Sequence, residues 1–422
     1  MGLDMHAGEY GVVQAEAIAR AHDQSPAPHG APMAASLPAN LRVALVHDYL
    51  FEQGGAENVV EVLCELFPDA PLFTSVWDRS MVSATFATRD VRTSFLQRLS
   101  RRKRYARALL PLYPLAFDRF DFQAFDLVLS SSSGFAKDIR PGKGTIHICY
   151  CHTPARFLWD FGSYLKAGGE NLMGVLARPL IGPLRWWDRY TAARVDVFIA
   201  NSLNTAARIQ RCYGRPATVI YPPIDLQQWR ISDTVEDYYL IVSRLLPHKH
   251  IDVVIEAFNR FKKPLVIVGA GQDMRRLQRM GNGQISFLGR VPQPQLRELY
   301  ARAAALILPG AEDLGLTALE AQASGRPVIA YGAGGALETV IDGVTGCFFP
   351  EQTAESLLDT LARFNPRQYD PWELRRHAAT FDKARFKQRI ISLIATSLSS
   401  SAAHCRKEFP RAMGQEVEAA PH

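Results

Sequence analysis

Paired cysteines and long apolar runs are both missing from this 422-residue chain. Its cysteines are scattered and form no CxxC pair, which excludes a zinc module and a secreted disulfide framework and favours a reducing compartment. They are Cys64, Cys149, Cys151, Cys212, Cys347 and Cys405. No run approaches the roughly 18–20 apolar residues that span a bilayer, and the first residues lack the layout of a signal peptide. We therefore expect a cytoplasmic protein.

The chain also lacks a large net charge of either sign. Lys and Arg exceed Asp and Glu by only six, 48 against 42, and the isoelectric point is about 9.0. This small excess allows an anionic partner and leaves open phosphate, nucleic acid and an acidic lipid surface. The hydrophobic fraction of 47% is that of a soluble globular protein, and the length predicts two or three domains.

Apolar runs that alternate with helical patterns predict a first α/β domain over residues 41–222, after a flexible leader over 1–40. The run from Leu41 to Val46 is followed by the Gly54-Gly55 turn and an amphipathic helical pattern. Further strands are predicted at Ala70–Ser75, Asp126–Ser130, Ile146–Tyr150 and Val195–Ala200. The alternation indicates a doubly wound parallel sheet.

A second α/β domain is predicted over residues 223–380, after the connector Pro222-Pro223. Its strands are predicted at Tyr239–Val242, Leu265–Val268, Ile285–Leu288, Ala305–Leu308, Pro327–Ala330 and Gly346–Phe349. A helix over 381–397 is expected to cross back to the first domain, followed by a flexible tail over 398–422. Two such Rossmann-like domains would enclose a cleft between the open ends of their sheets.

Two carboxylates, Glu312 and Glu320, flank a predicted helix start after the strand that ends at Leu308. Gly315 permits a close backbone approach, and the amides that follow it suit a phosphate or an electron-rich sugar. A capped surface helix with acidic residues in its first turn is the alternative.

Two cations, Arg244 and Lys249, follow the strand Tyr239–Val242. At the end of a strand, two such groups can bind a diphosphate in place of a metal. A solvated basic loop is the alternative for this segment.

Together these segments resemble family 4 of the glycosyltransferases, which are retaining enzymes with the GT-B fold. The likeness covers residues 41 to about 395. Glu312 and Glu320 match the E-x7-E element, and Arg244 and Lys249 match the strand-end basic pair. Also matching are Gly332-Ala333-Gly334-Gly335 followed by Glu338, and Asp342-Gly343-Val344-Thr345-Gly346.

The resemblance implies that the second domain binds a nucleotide-sugar donor. Arg244 and Lys249 would bind the diphosphate, Glu320 the ribose and Glu312 the transferred hexose. The remaining donor contacts would come from the backbone near Arg290 and Val291 for the base, and from Gly315 and the amides of Leu316 and Thr317 for phosphate or sugar.

In the first domain, Gly54 and Gly55 would close over the diphosphate, and His152 would contact the transferred sugar. An ordinary strand-to-helix turn and a structural histidine are the alternatives for these positions.

No D-x-D sequence occurs, so the usual metal site of the other large glycosyltransferase architecture is not expected, and neither is a cofactor. The resemblance implies transfer with retention, by attack of the acceptor on the face from which the diphosphate leaves. The segments beginning at His47 and His152 resemble bacterial mannosyltransferases of exopolysaccharide and O-antigen assembly. We therefore expect GDP-mannose as the donor, with a UDP-hexose or another GDP-hexose as the alternative.

A basic cluster with no acidic residue lies in the first domain and immediately precedes an apolar run from Leu109 to Leu115. It consists of Arg98, Arg101, Arg102, Lys103, Arg104 and Arg107. Such a stretch suits an anionic membrane surface. We expect peripheral association with the inner membrane and a polyprenyl-diphosphate-linked oligosaccharide as acceptor. A solvated basic helix is the alternative.

Other classes fit less well. A sugar-phosphate epimerase gains no support from the E-x7-E element, and glycogen-type synthases usually open with a Lys-x-Gly-Gly turn that is missing here. A non-catalytic nucleotide-sugar-binding subunit remains open, although the charged residues of the motifs are intact. Nucleic-acid binding is not expected, because the basic residues form no known reading motif.

Overall fold

The computed structural model describes residues 37–408 apart from 52–53, 100–108, 110–111 and 161–171. Residues 1–36 of the predicted leader and 409–422 of the predicted tail lie outside the described residues. So do all members of the basic cluster except Arg98.

Within the described residues, seven parallel strands form the first sheet, in the order β3-β2-β1-β4-β5-β6-β7. Their bounds are Val43–His47 (β1), Leu72–Thr74 (β2), Val91–Thr93 (β3), Leu127–Ser132 (β4), Ile146–Cys151 (β5), Val197–Ala200 (β6) and Ala217–Val219 (β7). The central strands β1, β4 and β5 are buried throughout, as expected when helices cover both faces of a parallel sheet. The edge strands β3 and β7 are not predicted by the sequence, because each is only three residues long and partly exposed.

The helices of this domain are Gly55–Leu66 (α1), Ala84–Ala87 (α2), Leu96–Leu99 (α3), Tyr113–Asp118 (α4), Arg156–Trp159 (α5), Leu172–Ala192 (α6) and Leu203–Tyr213 (α7). A buried ion network fixes α6 to the turn after β4. Lys137 Nζ lies 2.6 Å from Asp138 Oδ1 and 2.6 Å from Asp188 Oδ1. The ends of α7 are set locally, because Ser202 accepts a hydrogen bond from the Thr205 amide and Gly214 adopts a left-handed conformation.

Six parallel strands form the second sheet within the described residues, in the order β10-β9-β8-β11-β12-β13. Their bounds are Tyr239–Val242 (β8), Leu265–Val268 (β9), Ile285–Gly289 (β10), Ala305–Leu308 (β11), Val328–Tyr331 (β12) and Gly346–Phe349 (β13). The prediction of two doubly wound α/β domains is thus confirmed. The strand order reverses between β8 and β11, and such switch points are where open α/β sheets bind ligands.

The helices of the second domain are Ile251–Phe261 (α8), Met274–Met280 (α9), Gln293–Arg302 (α10), Leu316–Ala323 (α11), Ala336–Thr339 (α12), Ala354–Arg363 (α13) and Pro371–Ala378 (α14).

The last helix, Lys383–Glu408 (α15), joins the two domains. Its apolar residues Phe386, Ile390 and Ile394 belong to the core of the first domain. Its start pairs with the interdomain connector, since the Lys383 amide donates to Ile224 O at 3.1 Å. The helix continues past residue 398, where the sequence predicts a flexible tail. Alanine favours helix here, and serine hydroxyls donate to the carbonyl four residues earlier, as Ser400 does to Thr396 O at 3.0 Å.

Candidate active site

The segments after β8, β11 and β12 meet at the switch point of the second sheet, because the carboxyl ends of parallel strands lie at one edge. Glycines allow these segments to touch. A Cβ atom at Gly269 would overlap Ser243 O, and one at Gly271 would overlap Leu245 O. The glycine turn after β9 therefore supports the backbone on either side of Arg244.

A second glycine pair supports the loop that carries Glu312. Gly334 has a φ of 65°, and a Cβ atom there would lie 2.6 Å from Glu312 O. The Gly335 amide donates to that same carbonyl at 2.8 Å, and a Cβ atom at Gly335 would overlap Leu314 Cα. The Gly-Ala-Gly-Gly sequence thus fixes the backbone position of Glu312.

Lys249 and Glu312 form an ion pair in this cleft. The Lys249 ammonium donates to both carboxylate oxygens, at 2.6 and 2.5 Å. The two side chains are only 13% and 19% exposed, so the pair is shielded from water. Burial alone would raise the pKa of Glu312, but Lys249 and Arg156 hold that pKa below its usual value. Glu312 is therefore an ionised acceptor at neutral pH.

Arg244 is exposed and lies two residues beyond β8, in the segment that leads to Lys249. His248 lies between it and Lys249 in sequence, and burial and the neighbouring cations lower the pKa of His248 to about 4. At neutral pH this segment therefore carries the charge of Arg244 and Lys249 and none from His248.

Helix α11 begins at the same edge. Gly315 precedes it with a φ of 90°, a conformation that favours glycine. The amides of Leu316 and Thr317 stand in the first turn, where no intrahelical acceptor exists and the helix dipole favours an anion.

Glu320 lies further along α11 and is partly buried. Its Oε2 accepts a hydrogen bond from the hydroxyl of the fully buried Tyr300 at 2.7 Å. Burial raises the pKa of Glu320 to about 7, against an ordinary 4.5.

The loop after β10 carries the residues predicted to lie near the base of the donor. Val291 packs in the same apolar cluster as Leu316, and Arg290 beside it is exposed.

The first domain approaches this site through its opening glycine turn. A Cβ atom at Gly55 would come within 2.7 Å of Leu316 Cδ1. Gly54 immediately precedes α1 and lies next to Glu57. The two predicted helix starts, one from each domain, therefore face each other across a narrow cleft.

His152 follows β5 and is buried. Its Nε2 lies 2.8 Å from Ser131 Oγ, and burial lowers its pKa to about 3, so the ring is neutral at pH 7. The same serine contacts His47, whose Nδ1 is 3.2 Å from Ser131 Oγ, and His47 Nε2 lies 3.4 Å from Glu57 Oε1. This chain of buried polar groups behind His152 is not predicted by the sequence. The position of His47 and Ser131 at strand ends is the signal that points to it.

Arg156 is a second residue that sequence reasoning misses. It lies in the first domain, yet its guanidinium lies 2.7 Å from Asp313 Oδ1 in the loop after β11. In the sequence, the only signal that it lies near the cleft is that it follows His152 by four residues. The ion pair brings the two domains together beside Glu312.

Among the residues that the structure describes, no three His, Cys, Asp or Glu side chains are grouped so that they could hold a metal ion. In the same part of the chain, no helix is both long and apolar enough to cross a membrane.

Both halves of the chain match known family models. Residues 53–228 match Glycosyltransferase Family 4, and residues 227–380 match Glycosyl transferases group 1. The two matches meet at residues 227–228; the first begins after β1, and the second ends before α15.

Curated relatives carry related names. A D-inositol 3-phosphate glycosyltransferase from Geodermatophilus obscurus is 28% identical over 53% of this chain and 57% of its own length. A glycogen synthase from Pseudomonas aeruginosa is 35% identical over 30% of this chain and 26% of its own length. A GDP-mannose-dependent alpha-(1-6)-phosphatidylinositol monomannoside mannosyltransferase from Mycolicibacterium smegmatis is 37% identical over 25% and 32%. The matches thus span less than two thirds of these relatives.

Solved structures share the whole architecture. Sucrose-phosphate synthase from Thermosynechococcus elongatus superposes with a TM-score of 0.67 at 18% identity, over 85% of this chain and 100% of its own. Anabaena HepE in complex with UDP gives 0.62 at 17%, over 84% and 100%. At these identities the likeness shows the fold, and it is the GT-B fold that the sequence predicts. The chain thus carries a region that matches Glycosyltransferase Family 4, followed by one that matches Glycosyl transferases group 1, and together they span residues 53–380.

Proposed function

We propose that this chain is a retaining, metal-independent glycosyltransferase that moves mannose from GDP-mannose onto a polyprenyl-diphosphate-linked oligosaccharide in exopolysaccharide or O-antigen synthesis. The observation that carries the proposal is the shielded Lys249–Glu312 pair at the sheet's switch point, beside the exposed Arg244. The printed name of the Mycolicibacterium smegmatis relative supports the choice of donor.

In this proposal the second domain holds the donor. Arg244 and Lys249 bind the diphosphate, and the amides of Leu316 and Thr317 complete its surroundings. Glu320 accepts hydrogen bonds from the ribose hydroxyls, and these bonds are strongest in its ionised form.

The base of the donor lies near Arg290 and Val291. From the first domain, Gly54 and Gly55 close over the diphosphate.

During transfer, the bond between the anomeric carbon and the diphosphate oxygen breaks, and the acceptor oxygen bonds to that carbon on the same face. The hydroxyl proton of the acceptor passes to the leaving diphosphate. Arg244 and Lys249 offset the negative charge that develops there. Glu312 holds the hexose through its hydroxyls, and the neutral His152 provides a further hydrogen bond to the same sugar.

A donor panel tests this chemistry. Purified protein is incubated with GDP-mannose, GDP-glucose, UDP-glucose and UDP-N-acetylglucosamine, with and without EDTA, and release of the nucleoside diphosphate is followed. We expect release from GDP-mannose that the chelator does not change, and an α-configured product by NMR. A preference for a UDP-sugar would mean that the donor is that UDP-sugar and not GDP-mannose. Binding without release from any donor would indicate a non-catalytic subunit.

Two variants test the basic pair. Arg244→Ala and Lys249→Ala are each expected to lower turnover about a hundredfold or more, because leaving-group stabilisation is lost. Lys263→Ala is the matched control, since Lys263 pairs with Asp237 on the surface of the same domain. Unchanged turnover in folded Arg244→Ala or Lys249→Ala would contradict the assignment.

Membrane association is proposed for the first domain, and the described residues add support beyond the basic cluster. On α6, Trp186 is 66% exposed and stacks on the exposed Tyr190 with ring centroids 5.4 Å apart. Leu180 on the same helix and Leu99, next to Arg98 on α3, are also exposed. Aromatic and aliphatic side chains beside cations suit the interface of an anionic bilayer.

Flotation with vesicles of anionic phospholipid tests the membrane proposal. The wild type is expected to float, and the triple variant Arg101→Glu/Arg102→Glu/Arg104→Glu is expected to stay in solution. Trp186→Ser should float less, whereas Trp372→Ser is the matched control, because that tryptophan is also 66% exposed but lies in the second domain. The proposal fails if the wild type stays in solution or if the triple variant floats equally well.

A further inference from the structure

Glu338 is a buried carboxylate whose partners lie in the other domain. It stands on α12 of the second domain and is 3% exposed. One oxygen accepts the Leu203 amide at 2.7 Å, and the other accepts the Asn204 amide at 2.9 Å. Leu203 and Asn204 form the first turn of α7 in the first domain, so Glu338 caps a helix that belongs to the opposite wall of the cleft.

The Glu338 carboxylate and the start of α7 have complementary charges and hydrogen-bonding groups. The start of α7 carries partial positive charge and amides without intrahelical acceptors, which suit a carboxylate. Ser202 satisfies the Thr205 amide from within the first domain, and Glu338 supplies acceptors for the two amides before it. The hydroxyl of Tyr221, at the interdomain connector, adds a third hydrogen bond at 3.1 Å.

The same segment also carries the backbone support of Glu312. Gly335, three residues before Glu338, donates its amide to Glu312 O at 2.8 Å. The side-chain amide of Asn204 reaches the same carbonyl at 3.5 Å. One short stretch of the second domain therefore contacts both the start of α7 and the loop that carries Glu312.

We infer that Glu338 is a positioning residue: by capping α7 across the domain boundary, it fixes the Glu312 loop relative to the first-domain wall of the cleft. The sequence motif explains its place, because the glycines of Gly-Ala-Gly-Gly let the backbone reach Glu312 and the following helical turn presents Glu338 to α7. The contact itself is independent of the reaction. Its effect on turnover rests on the proposed glycosyl transfer.

Hydrogen exchange of Glu338→Gln tests the contact directly. The glutamine offers one acceptor oxygen and turns an NH2 group toward the second amide, so one of the two helix caps is lost. We expect the amides of Leu203 and Asn204 to exchange about tenfold faster or more, because hydrogen bonds to a charged group are the stronger kind. The Gly335 amide should also exchange faster. The matched control is Glu355→Gln, which removes an exposed carboxylate of the same domain and should change neither segment.

The catalytic consequence is that kcat and KM respond differently to the loss of the Glu338 carboxylate. We expect Glu338→Gln to lower kcat about tenfold while KM for the donor changes less than threefold, since the diphosphate-binding residues stay in place. Tyr221→Phe removes one hydroxyl and keeps both amide contacts, so it should give the same changes at a smaller size. It also serves if Glu338→Gln does not fold.

The outcomes separate the two proposals. Unchanged exchange at Leu203 and Asn204 in a folded Glu338→Gln would overturn the cap. Faster exchange there with unchanged exchange at Gly335, or with unchanged kcat, would overturn the positioning role. If the wild type transfers no sugar, the proposed function fails, while the exchange measurements still decide the role of Glu338.

Discussion

Replacing Glu320 with glutamine is expected to stabilise the fold at pH 8 much more than at pH 5. The pKa of Glu320 is raised from 4.5 to about 7 by burial, with the Tyr300 hydroxyl opposing that rise. Between these values the folded chain keeps a proton that the unfolded chain has released. The free energy of unfolding therefore falls as the pH rises from 4.5 to 7 and is level above 7.

The size of this fall follows from the raised pKa. A difference of one pKa unit between folded and unfolded states corresponds to about 1.4 kcal/mol. Because part of the fall has already occurred at pH 5, the loss attributable to Glu320 between pH 5 and pH 8 is about 2 to 3 kcal/mol. Glutamine keeps an oxygen for the Tyr300 hydroxyl and carries no charge, so the variant escapes this loss.

The assay is the difference in unfolding free energy between Glu320→Gln and the wild type, measured at pH 5 and pH 8. Other groups that titrate in this range are common to both proteins and cancel. Tyr300→Phe removes the hydrogen bond that favours the ionised form, so the Glu320 carboxylate that it retains should give a larger fall, which extends to higher pH. An equal difference at both pH values would refute the reasoning, because it would mean that Glu320 titrates alike in the folded and unfolded chain.

Three further outcomes are expected. Gly335→Ala should lower both Tm and turnover, because its Cβ atom would overlap Leu314 Cα, whereas Gly283→Ala, with open space around it, should leave both unchanged. Ser131→Ala should lower turnover about tenfold and lower Tm as well, since the buried rings of His152 and His47 lose a hydrogen-bond partner; an unaltered rate would speak against a role for His152. Lys137→Met should reduce the free energy of unfolding by about 3 to 5 kcal/mol in urea denaturation, because two buried carboxylates lose their partner, and a loss below about 1 kcal/mol would contradict this.

The fold could be predicted well where strands are buried on both faces. The predicted bounds of β8, β9, β11 and β13 agree with the structure, because a strand of a covered parallel sheet is a continuous apolar run between polar loops. The edge strands β3 and β7 could not be predicted, because a short and half-exposed strand leaves no such run. Local pattern thus encodes the strands that form apolar runs, including β13 at the edge of the second sheet, and not the two short edge strands of the first sheet.

The sequence predicts which loops contribute to the site, but it does not predict which of their side chains pair. Arg244, Lys249, Glu312 and Glu320 all follow strands or begin helices, so their common edge follows from topology. The pairing of Lys249 with Glu312 joins residues 63 positions apart and depends on glycines that bring two loops into contact. No local pattern encodes that distance.

Contacts across the cleft were the least predictable, because they depend on how two separately folded domains are oriented. Glu338 bonds to backbone amides, which leave no trace in the sequence of α7, 134 and 135 positions away. Arg156 pairs with Asp313 in the same way, across the domain boundary. Both residues lie within segments that the family resemblance singles out, yet the resemblance assigns neither a partner.

The carboxylates of Glu312, Glu320 and Glu338 at this cleft differ in the direction of their pKa shifts, and stability alone does not explain this difference. Cations flank Glu312, and its pKa is lowered. Burial raises the pKa of Glu320 and Glu338, whose hydrogen-bond donors are hydroxyls and backbone amides. Ionising either one is therefore less favourable in the folded chain than in the unfolded chain. Glutamine removes that penalty at Glu320, whereas at Glu338 it also removes one acceptor of the α7 amides. In the proposed function each carboxylate acts in the assembled cleft, Glu320 on the ribose hydroxyls and Glu338 on the opposite domain. The two glutamine variants should accordingly diverge, with Glu320→Gln gaining stability and losing donor affinity, and Glu338→Gln keeping donor affinity and losing turnover.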